Sequence, residues 1–267
     1  MNQQIYKASM TSKISAYVIA YNEVEKISTA IKSIQWADEI VLVDSYSTDG
    51  TTELAEKLGA RVVHVKFQGY GHLRNQAINA CQHDWIFSLD ADERCTQEVA
   101  QEIQGIVNSS DSADVYFVPR RNLFMGRWIR HSGWYPNYRQ PQLFRKDAMT
   151  YDLLPVHEGY VLHTNKRPQY LKNAIWQYPF KDVGEVMRKA DKYSTLGAAK
   201  IQHKRITVWT AFAHGVWSFL KHYVFKLGVL DGGPGLVIAV GNFEGTFYRY
   251  LKAMELQQRN HASKTIS

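Results

Sequence analysis

The sequence predicts an α/β protein whose first half is a mostly parallel sheet flanked by helices and whose last part is helical. Short apolar strands alternate with helix-length segments of 3.6-residue periodicity up to about residue 119. Connections of this length favour parallel βαβ units. Polar or acidic residues follow three of the strands, as is typical of the carboxyl edge of such a sheet. With 267 residues, 45% of them hydrophobic, the chain can bury one large domain with an appendage.

The predicted strands are short runs of β-branched and aromatic residues that turn residues interrupt. The most informative of them, Trp85 to Leu89, runs without a turn signal into a cluster of carboxylates. In chain order, the strands are expected at 14–20, 40–43, 62–65, 85–89 and 115–118.

The helices between these strands have recognisable start and stop signals. Asn22 is expected to cap the first helix, with Glu25 at the spacing of a capping box. Gly59 is expected to end the second helix, and Thr96 to cap the fourth. The helical segments are expected at about 27–34, 51–58, 73–80 and 99–107.

The second half of the chain differs in character. Residues 120–145 are dense in Arg, Trp, Tyr and Asn, which suggests loops and short antiparallel strands over the carboxyl edge of the sheet. Residues 182–202 return to a helical pattern. We therefore expect a first domain at 13–180 and a helical extension at 181–260.

An apolar, aromatic segment lies within this extension. Residues 206–220 are too few to cross a bilayer, which takes ~20 residues, and they include His214. Basic residues flank the segment at 200–205 and 221–226. This pattern favours helices that associate with a membrane interface, and a buried helical hairpin is the alternative. The aromatic residues concerned are Trp209, Phe212, Trp217, Phe219, Tyr223 and Phe225.

The overall charge and the cysteines bound the possible functions. A net charge of +7 suits an anionic partner, and it does not choose among nucleic acid, a nucleotide and an anionic membrane. Cys81 and Cys95 lie in no metal-ligand spacing, which favours a reduced intracellular protein without a disulfide scaffold or structural zinc. Residues 1–12 contain no apolar core, so no cleaved signal peptide is expected.

Three strand ends carry the residues suited to chemistry. Asp90 and Asp92 follow the fourth strand, Asp44 follows the second, and Asn22 and Glu23 follow the first. Because parallel strands end at one edge, these side chains are expected to converge. Two carboxylates two residues apart can hold a divalent cation, which in turn can hold a diphosphate. The alternative for the acidic pair is a loop that only caps the following helix.

At these positions the sequence resembles the family 2 glycosyltransferases, which have the GT-A fold. The resemblance covers about residues 13–145. It implies a Rossmann-like sheet with a nucleotide-sugar-binding half at 13–119 and an acceptor or catalytic half at 120–180. It also implies inverting transfer of a hexose from a UDP-sugar with Mg²⁺ or Mn²⁺. The motifs that carry it are Ala20-Tyr-Asn-Glu23, Val43 to Thr51 and Leu89-Asp-Ala-Asp-Glu93.

The resemblance implies roles for individual residues. Asp44 would accept a hydrogen bond from uracil N3–H, and Tyr21 would offer an aromatic face to the base. Asp92, helped by Asp90, would place the metal ion on the diphosphate. The residues expected at the nucleotide-sugar site are Tyr21, Asn22, Glu23, Asp44, Ser47, Asp49, Arg74, Asp90, Ala91 and Arg145.

Inverting transfer also needs a carboxylate that takes the proton from the acceptor hydroxyl. Glu158, in Pro155-Val-His-Glu-Gly159, is the expected base and Asp152 is the reserve. The Glu-Asp form of this motif in many relatives is absent here. Arg139, Gln142 and Arg145 resemble the strand before the base, where cationic groups can neutralise the diphosphate or the phosphates of the acceptor. Structural salt bridges are the alternative for these residues.

A closer resemblance, over nearly the whole chain, is to bacterial lipopolysaccharide-core β-1,4-glucosyltransferases. It implies glucose as the sugar, a lipopolysaccharide-core glycolipid as the acceptor, and a peripheral location on the cytoplasmic face of the inner membrane. The segments that carry it are Gly69 to Asn75, Trp85 to Glu93, Pro155 to Gly159 and Leu230 to Gly235.

Other functions remain open from the sequence. The same fold can act on a polyprenyl-phosphate sugar, a protein or a capsule precursor. A non-catalytic nucleotide-binding module and an inactive relative are further alternatives. No RNA-binding motif such as RNP1 occurs, so nucleic acid is not an expected partner. Gly232 to Gly235 lacks the ending of a P-loop and is expected to form a turn.

Overall fold

The computed structural model describes residues 12–138, 140–153 and 159–266, with side chains up to residue 260. The chain forms two compact units. The first contains the chain up to Arg120 together with Asn137–Gln177, and the second contains Arg121–Pro136 together with the chain from Tyr178 onwards. The second unit thus includes a segment that the predicted division assigned to the acceptor half of the first domain.

The first unit is built on a mixed sheet. The first four strands of the chain belong to this sheet, and every pairing among them is parallel. A later strand pairs antiparallel with the fourth. From one edge to the other, the order is β12 (Gln169–Tyr170), β6 (Val115–Phe117), β9 (Pro141–Arg145), β4 (Trp85–Asp90), β1 (Ile14–Ala20), β2 (Glu39–Asp44) and β3 (Arg61–His64).

Helices cover one face of this sheet, and a helix with a hairpin covers the other. Helices α1, α2 and α4 share a core with one face, whereas α3 and the β10–β11 hairpin pack on the opposite face. Strand β5 (Glu93–Arg94) pairs antiparallel with β13 (Ile175–Gln177). The other elements are α1 (Val24–Ser33), α2 (Thr51–Lys57), α3 (Tyr70–Ala80), α4 (Gln97–Val107), β10 (Met149–Tyr151) and β11 (Tyr160–Leu162).

The buried pattern of β1 explains why the sheet is central. All seven of its residues are buried, and alternate residues face different layers. Ala16 and Val18 belong to the core with α1 and α4, whereas Tyr17 and Ile19 belong to the core with α3. A strand covered on both faces needs a continuous apolar run rather than an alternating one, and this run made the strand recognisable in the sequence.

Most of the predicted elements are confirmed, with two corrections. Thr96 caps α4 by accepting from Val99 N at 3.3 Å, and Gly59, with a φ of 85°, follows α2. The Asn22 capping box is wrong, because the N-cap residue of α1 is Glu23 and makes no side-chain cap. Strand β9 is antiparallel as expected, but it lies inside the main sheet rather than over its edge.

The second unit consists of a short hairpin and long helices. Strands β7 (Arg120–Phe124) and β8 (Arg127–Trp128) are joined by two residues, Met125 and Gly126, that both have positive φ, as the tightest hairpin turns require. The helical elements are α5 (Val183–Ile201), α6 (Val208–Leu220), a π-helical turn (Lys221–Phe225), a 3₁₀ turn (Gly228–Asp231) and α7 (Gly233–Ile266).

Helix α7 packs against both α5 and α6. Small residues permit the two close crossings: Gly215 of α6 faces Phe243, and Gly197 of α5 faces the side chain of Arg249. The expected helix at 182–202 is confirmed, and Asp182 caps it by accepting from Glu185 N at 2.7 Å. Among the described helices, none combines the length and apolarity needed to cross a membrane.

The two cysteines, Cys81 and Cys95, are free, buried thiols. Burial raises the pKa of both Cys81 and Cys95 to about 12. At about pH 8 almost none of either thiol is the reactive thiolate. We expect neither to react with a thiol reagent in the native protein and both to react in guanidinium chloride. A Glu56→Cys variant, with an exposed thiol, is the positive control; native cysteines that react at its rate would contradict the burial.

Candidate active site

The parallel register brings the predicted polar residues to one edge of the sheet. Ala20, the last residue of β1, pairs with Asp44, and Ile19 pairs with Asp90. The strand ends are therefore level, and the loops that follow them start from neighbouring positions. The convergence expected from the sequence is confirmed for the residues after β1, β2 and β4.

The loops after β1 and β2 are joined by hydrogen bonds. Asn22 N donates to Ser47 Oγ at 2.8 Å, and Thr48 N donates to Asn22 Oδ1 at 2.9 Å. Asn22 has a φ of 54°, which an asparagine tolerates better than most residues. The Asn22 side chain thus ties the two loops together instead of capping α1.

The amino end of α1 is capped from the neighbouring loop. Val24 N donates to Asp49 Oδ2 at 3.0 Å, and Glu23 N donates to Thr51 Oγ1 at 2.9 Å. Slight burial would raise the pKa of Asp49, but hydrogen bonds from Thr51 and Val24 outweigh it and hold the pKa below its usual range. Asp49 is therefore a charged acceptor at a helix amino end, where negative charge is favoured.

Asp44, the expected partner of uracil, is fully buried and already has hydrogen-bond partners. Its carboxylate accepts from both Ser47 N, at 2.7 Å, and Ser47 Oγ, and His64 Nδ1 lies 3.4 Å away. Tyr46 stacks on His64 with ring centroids 5.4 Å apart. Within the described residues, the buried Ser45 Oγ next to Asp44 has no hydrogen-bond partner. A hydroxyl of this kind is available to a polar atom of a ligand.

Arg74 reaches the site from beneath Asp90. Its Nη2 donates to Asp90 Oδ1 at 2.7 Å, and its Nη1 donates to Ser88 Oγ at 3.2 Å. Arg74 is only 4% exposed, so it is not the surface residue that an isolated arginine usually is. The guanidinium neutralises Asp90 and fixes its orientation.

A second buried ion pair supports the same turn. Glu93 is fully buried and is paired with Nε of Arg120, while its other oxygen accepts from Gln142 Nε2 at 2.8 Å and from Asp90 N at 2.9 Å. Burial raises the pKa of Glu93, and the charge of Arg120 opposes that rise. Glu93 thereby anchors the backbone of Asp90 from below.

Asp92 is the carboxylate at this edge that is best suited to a metal ion. It is partly exposed and accepts a long hydrogen bond, 3.3 Å, from the neutral amide of Gln177. A carboxylate offers about four acceptor positions, and its oxygens are the ligands that a hard cation prefers. The described side chains contain no group of three or more His, Cys, Asp or Glu that could hold a metal. One or two carboxylates completed by phosphate oxygens and water is the arrangement that Mg²⁺ commonly adopts, and the residues present fit it.

Asp152 is brought to the same edge by a close backbone approach. Its carbonyl oxygen occupies the space that a Cβ of Gly71, in the first turn of α3, would need. Asp152 N also donates to Gly159 O at 3.0 Å. The expected base Glu158 lies outside the described residues, as does Arg139.

Arg145 corrects one prediction. It pairs with Trp85, the first residue of β4, whereas Asp90 is the last. At about 3.3 Å per residue, the two ends of β4 lie roughly 16 Å apart. Arg145 forms ion pairs with Asp84 and Asp114 and its guanidinium lies 4.6 Å from the ring of Trp85. It is a structural residue at the amino end of β4 and not a ligand of the diphosphate.

The remaining predicted residues lie at the expected edge. Tyr21 is 62% exposed and Glu23 forms an ion pair with Lys26 at 3.1 Å, whereas Ala91 is buried. Several residues that hold the site together from within were not recognisable from the sequence. These are Thr51, His64, Glu93, Arg120 and Gln177.

The fold and this site define an α/β protein in which carboxylates and loop donors converge at the carboxyl edge of parallel strands, the edge at which open α/β sheets generally bind ligands. The model of the family described as Glycosyl transferase family 2 matches residues 15–161, more than half of the chain. The chain belongs to this family of glycosyltransferases. The expected GT-A fold, a mixed sheet flanked by helices with a helical extension, is thereby confirmed.

Relatives that are named as glycosyltransferases agree with this assignment. The chain is 30% identical to the lipopolysaccharide core biosynthesis glycosyltransferase LpsC of Rhizobium meliloti, over 94% of each chain. It is 28% identical to an uncharacterised glycosyltransferase of Rickettsia conorii, over 97% of this chain and 94% of the relative.

Among solved structures, glucosyl-3-phosphoglycerate synthase from Mycobacterium tuberculosis, in complex with Mn²⁺, UDP and glucosyl-3-phosphoglycerate, is 26% identical with a TM-score of 0.37. That match covers 41% of this chain and 44% of the synthase. The chain thus spans less than half of that structure.

The buried pair beneath Asp90 gives a stability prediction. Glu93→Gln should leave the charge of Arg120 uncompensated in the interior and lower the free energy of unfolding by about 3–5 kcal/mol, measured by urea titration. The exposed control Glu56→Gln should change it by less than about 0.5 kcal/mol.

A double variant separates stability from positioning. Glu93→Leu with Arg120→Met removes both charges and should recover much of the lost stability, since no unpaired charge remains. Equal free energies of unfolding for Glu93→Gln and the wild type would show that Glu93 is not the anchor described here.

Proposed function

We propose that this glycosyltransferase moves a hexose, with glucose the expected sugar, from a UDP-sugar to a lipopolysaccharide-core sugar, with inversion at the anomeric carbon and with a divalent metal ion. The observation that carries the proposal is the alignment of Asp44 and Asp90 at one sheet edge, with Asp92 two residues beyond Asp90. The relative active in lipopolysaccharide core biosynthesis supports the choice of acceptor.

Asp92 would hold the metal ion, and Asp90 would assist from a position that Arg74 and Glu93 fix. When bound, Mg²⁺ or Mn²⁺ neutralises the charge that develops on the departing diphosphate. The chain's own contribution is a turn that is already in place, so little reorganisation is needed when the donor binds.

The uridine would lie at the edge lined by the loops after β1 and β2. Tyr21 has an exposed ring and directly follows Ala20, which pairs with Asp44. The polar groups beside it at this edge are therefore the carboxylate of Asp44 and Ser45 Oγ. Asp44 already accepts from Ser47, so a uracil N3–H would use a remaining acceptor position of that carboxylate.

Transfer requires that the acceptor hydroxyl lose its proton as its oxygen bonds to C1 and the bond from C1 to the diphosphate oxygen breaks. Glu158 is the proposed base, and Asp152, which the structure places beside the first turn of α3, is the alternative. A glycolipid acceptor would bring the enzyme to a membrane surface. We place it as a peripheral protein on the cytoplasmic face of the inner membrane.

The donor can be identified by thermal protection across UDP-, GDP- and CMP-sugars, with and without Mn²⁺. We expect a UDP-sugar to raise Tm only with the metal. Asp92→Ala removes a proposed metal ligand and should weaken metal-dependent UDP binding. Loss of a residue that only supports a metal ligand typically costs roughly 10- to 100-fold, and we expect a larger effect here. Asp111→Ala, at an exposed acid, is the matched control. Unchanged UDP affinity of Asp92→Ala in Mn²⁺ would remove Asp92 from the metal site.

The base can be assigned by separating binding from transfer. Glu158→Gln should bind the UDP-sugar almost normally but lower kcat by at least ~10². Asp152→Asn is the parallel variant, and we expect it to retain more activity. A fully active Glu158→Gln together with an inactive Asp152→Asn would transfer the role to Asp152, and full activity in both would exclude both.

A further inference from the structure

We propose that residues 217–230 form a docking segment that binds the surface of a bilayer containing anionic phospholipid. The segment comprises the end of α6, the π-helical turn and the 3₁₀ turn up to Leu230. The inference rests on the peripheral location proposed above, and it assigns that location to particular side chains of the second unit. It does not depend on the sugar or on the chemistry of transfer.

The docking segment exposes an unusual share of large apolar side chains. In a water-soluble surface such residues normally occur singly, whereas here they follow one another within 14 residues of chain. The rings of Trp217 and Phe225 are in contact, with centroids 5.6 Å apart. The exposed fraction lies between 49% and 67% for Trp217, Val224, Phe225, Leu227, Val229 and Leu230.

The segment is held in this exposed form by a buried carboxylate. Asp231 is 1% exposed and accepts hydrogen bonds from Arg130 N at 3.1 Å, His131 N at 3.1 Å and Ser132 Oγ at 2.9 Å. Ser132 N also donates to Lys226 O at 2.9 Å. The loop after β8 therefore hydrogen-bonds to Lys226 within the docking segment and to Asp231, the residue that directly follows it.

Two further features show that the backbone of the segment is constrained. Gly228 is buried, and an added Cβ would collide with His222 O and Ser132 Oγ. Leu227 has a φ of 55°, a conformation that leucine rarely adopts. A strained leucine whose side chain is half exposed is not explained by packing within the unit, and it is consistent with display of that side chain to a partner.

The stretch of sequence that leads into and forms the segment carries charge of one sign. From residue 192 to residue 230 the sequence contains six Lys or Arg and no Asp or Glu. Lys221 and Lys226 lie in the segment, and Arg127 contacts it by donating from Nη2 to Leu230 O at 3.1 Å. Burial lowers the pKa of His222, the hydrogen bond with Ser218 O opposes that shift, and the charges of Lys226 and Lys221 add to it. Asp231, the nearest acid in sequence, is buried.

Apolar side chains beside cations match a bilayer with anionic headgroups, which accepts both at once. A second copy of the chain is a poorer occupant, because a self-complementary contact would bring the same lysines and arginines face to face. Among the described helices, none is both long enough and apolar enough to cross a membrane.

The test is co-sedimentation of the full chain with vesicles, without donor or acceptor. Wild-type protein should bind vesicles of phosphatidylcholine with phosphatidylglycerol and bind vesicles of phosphatidylcholine alone much less. Phe225→Ser with Leu230→Ser should lower the partition coefficient at least ~10-fold. Lys221→Gln with Lys226→Gln should lower it roughly fivefold per charge.

The matched control is Met187→Ser with Tyr193→Ser, which removes two side chains of α5 that are 63% and 65% exposed in the same unit. Circular dichroism and Tm establish that each variant is folded. We expect the control to bind as the wild type does. Binding that is insensitive to anionic lipid, or that survives the substitutions in the docking segment, would overturn the proposal.

A second measurement does not require loss of binding. Brominated lipid should quench part of the tryptophan fluorescence of the wild type, and Trp217→Phe should remove that part while vesicle binding persists.

Transfer to a water-soluble, deacylated acceptor should be unchanged in the docking variants. Failure of vesicle binding with normal transfer would therefore reject the docking segment alone, and failure of transfer in the wild type would reject the proposed function alone.

Discussion

A fully buried carboxylate, Glu93, supports the turn that carries the acidic site. It accepts from Asp90 N and Gln142 Nε2 and is paired with the buried guanidinium of Arg120. A charge in the interior is costly unless such partners surround it, so the turn has one arrangement that satisfies them and few alternatives. The orientation of Asp92, two residues after Asp90, depends on that arrangement. Burial of the pair thus contributes to the uniqueness of the site more than to net stability.

The sequence predicts the layered half of the fold well because its strands are buried on both faces. Continuous apolar runs such as Ile14–Ala20 mark these strands directly, and parallel pairing then aligns their ends. The position of β9 was not predictable in the same way. Its residues, Pro141–Arg145, enter the sheet antiparallel between strands that precede them in the chain, and no local pattern specifies that neighbour.

The sequence motifs located the site, but they did not identify the hydrogen-bond and ion-pair partners of its residues. Arg145 was misassigned because its role follows from the register with Trp85, which only the folded sheet defines. Glu93 and Arg120 lie 27 residues apart, and spacing alone gives no reason to pair them. Asn22 failed as a helix cap because Thr48 N, from another loop, takes its side-chain oxygen.

The capping of α1 by Asp49 and Thr51 has a consequence for cooperativity. A short helix is marginal in isolation, and the first peptide N–H groups of this one find acceptors only after β2 and the loop beyond it have joined β1. The first strand and helix are therefore not an autonomous folding unit. Opening of either loop would expose unsatisfied groups in both, so the two loops belong to one cooperative unit whose local stability is shared.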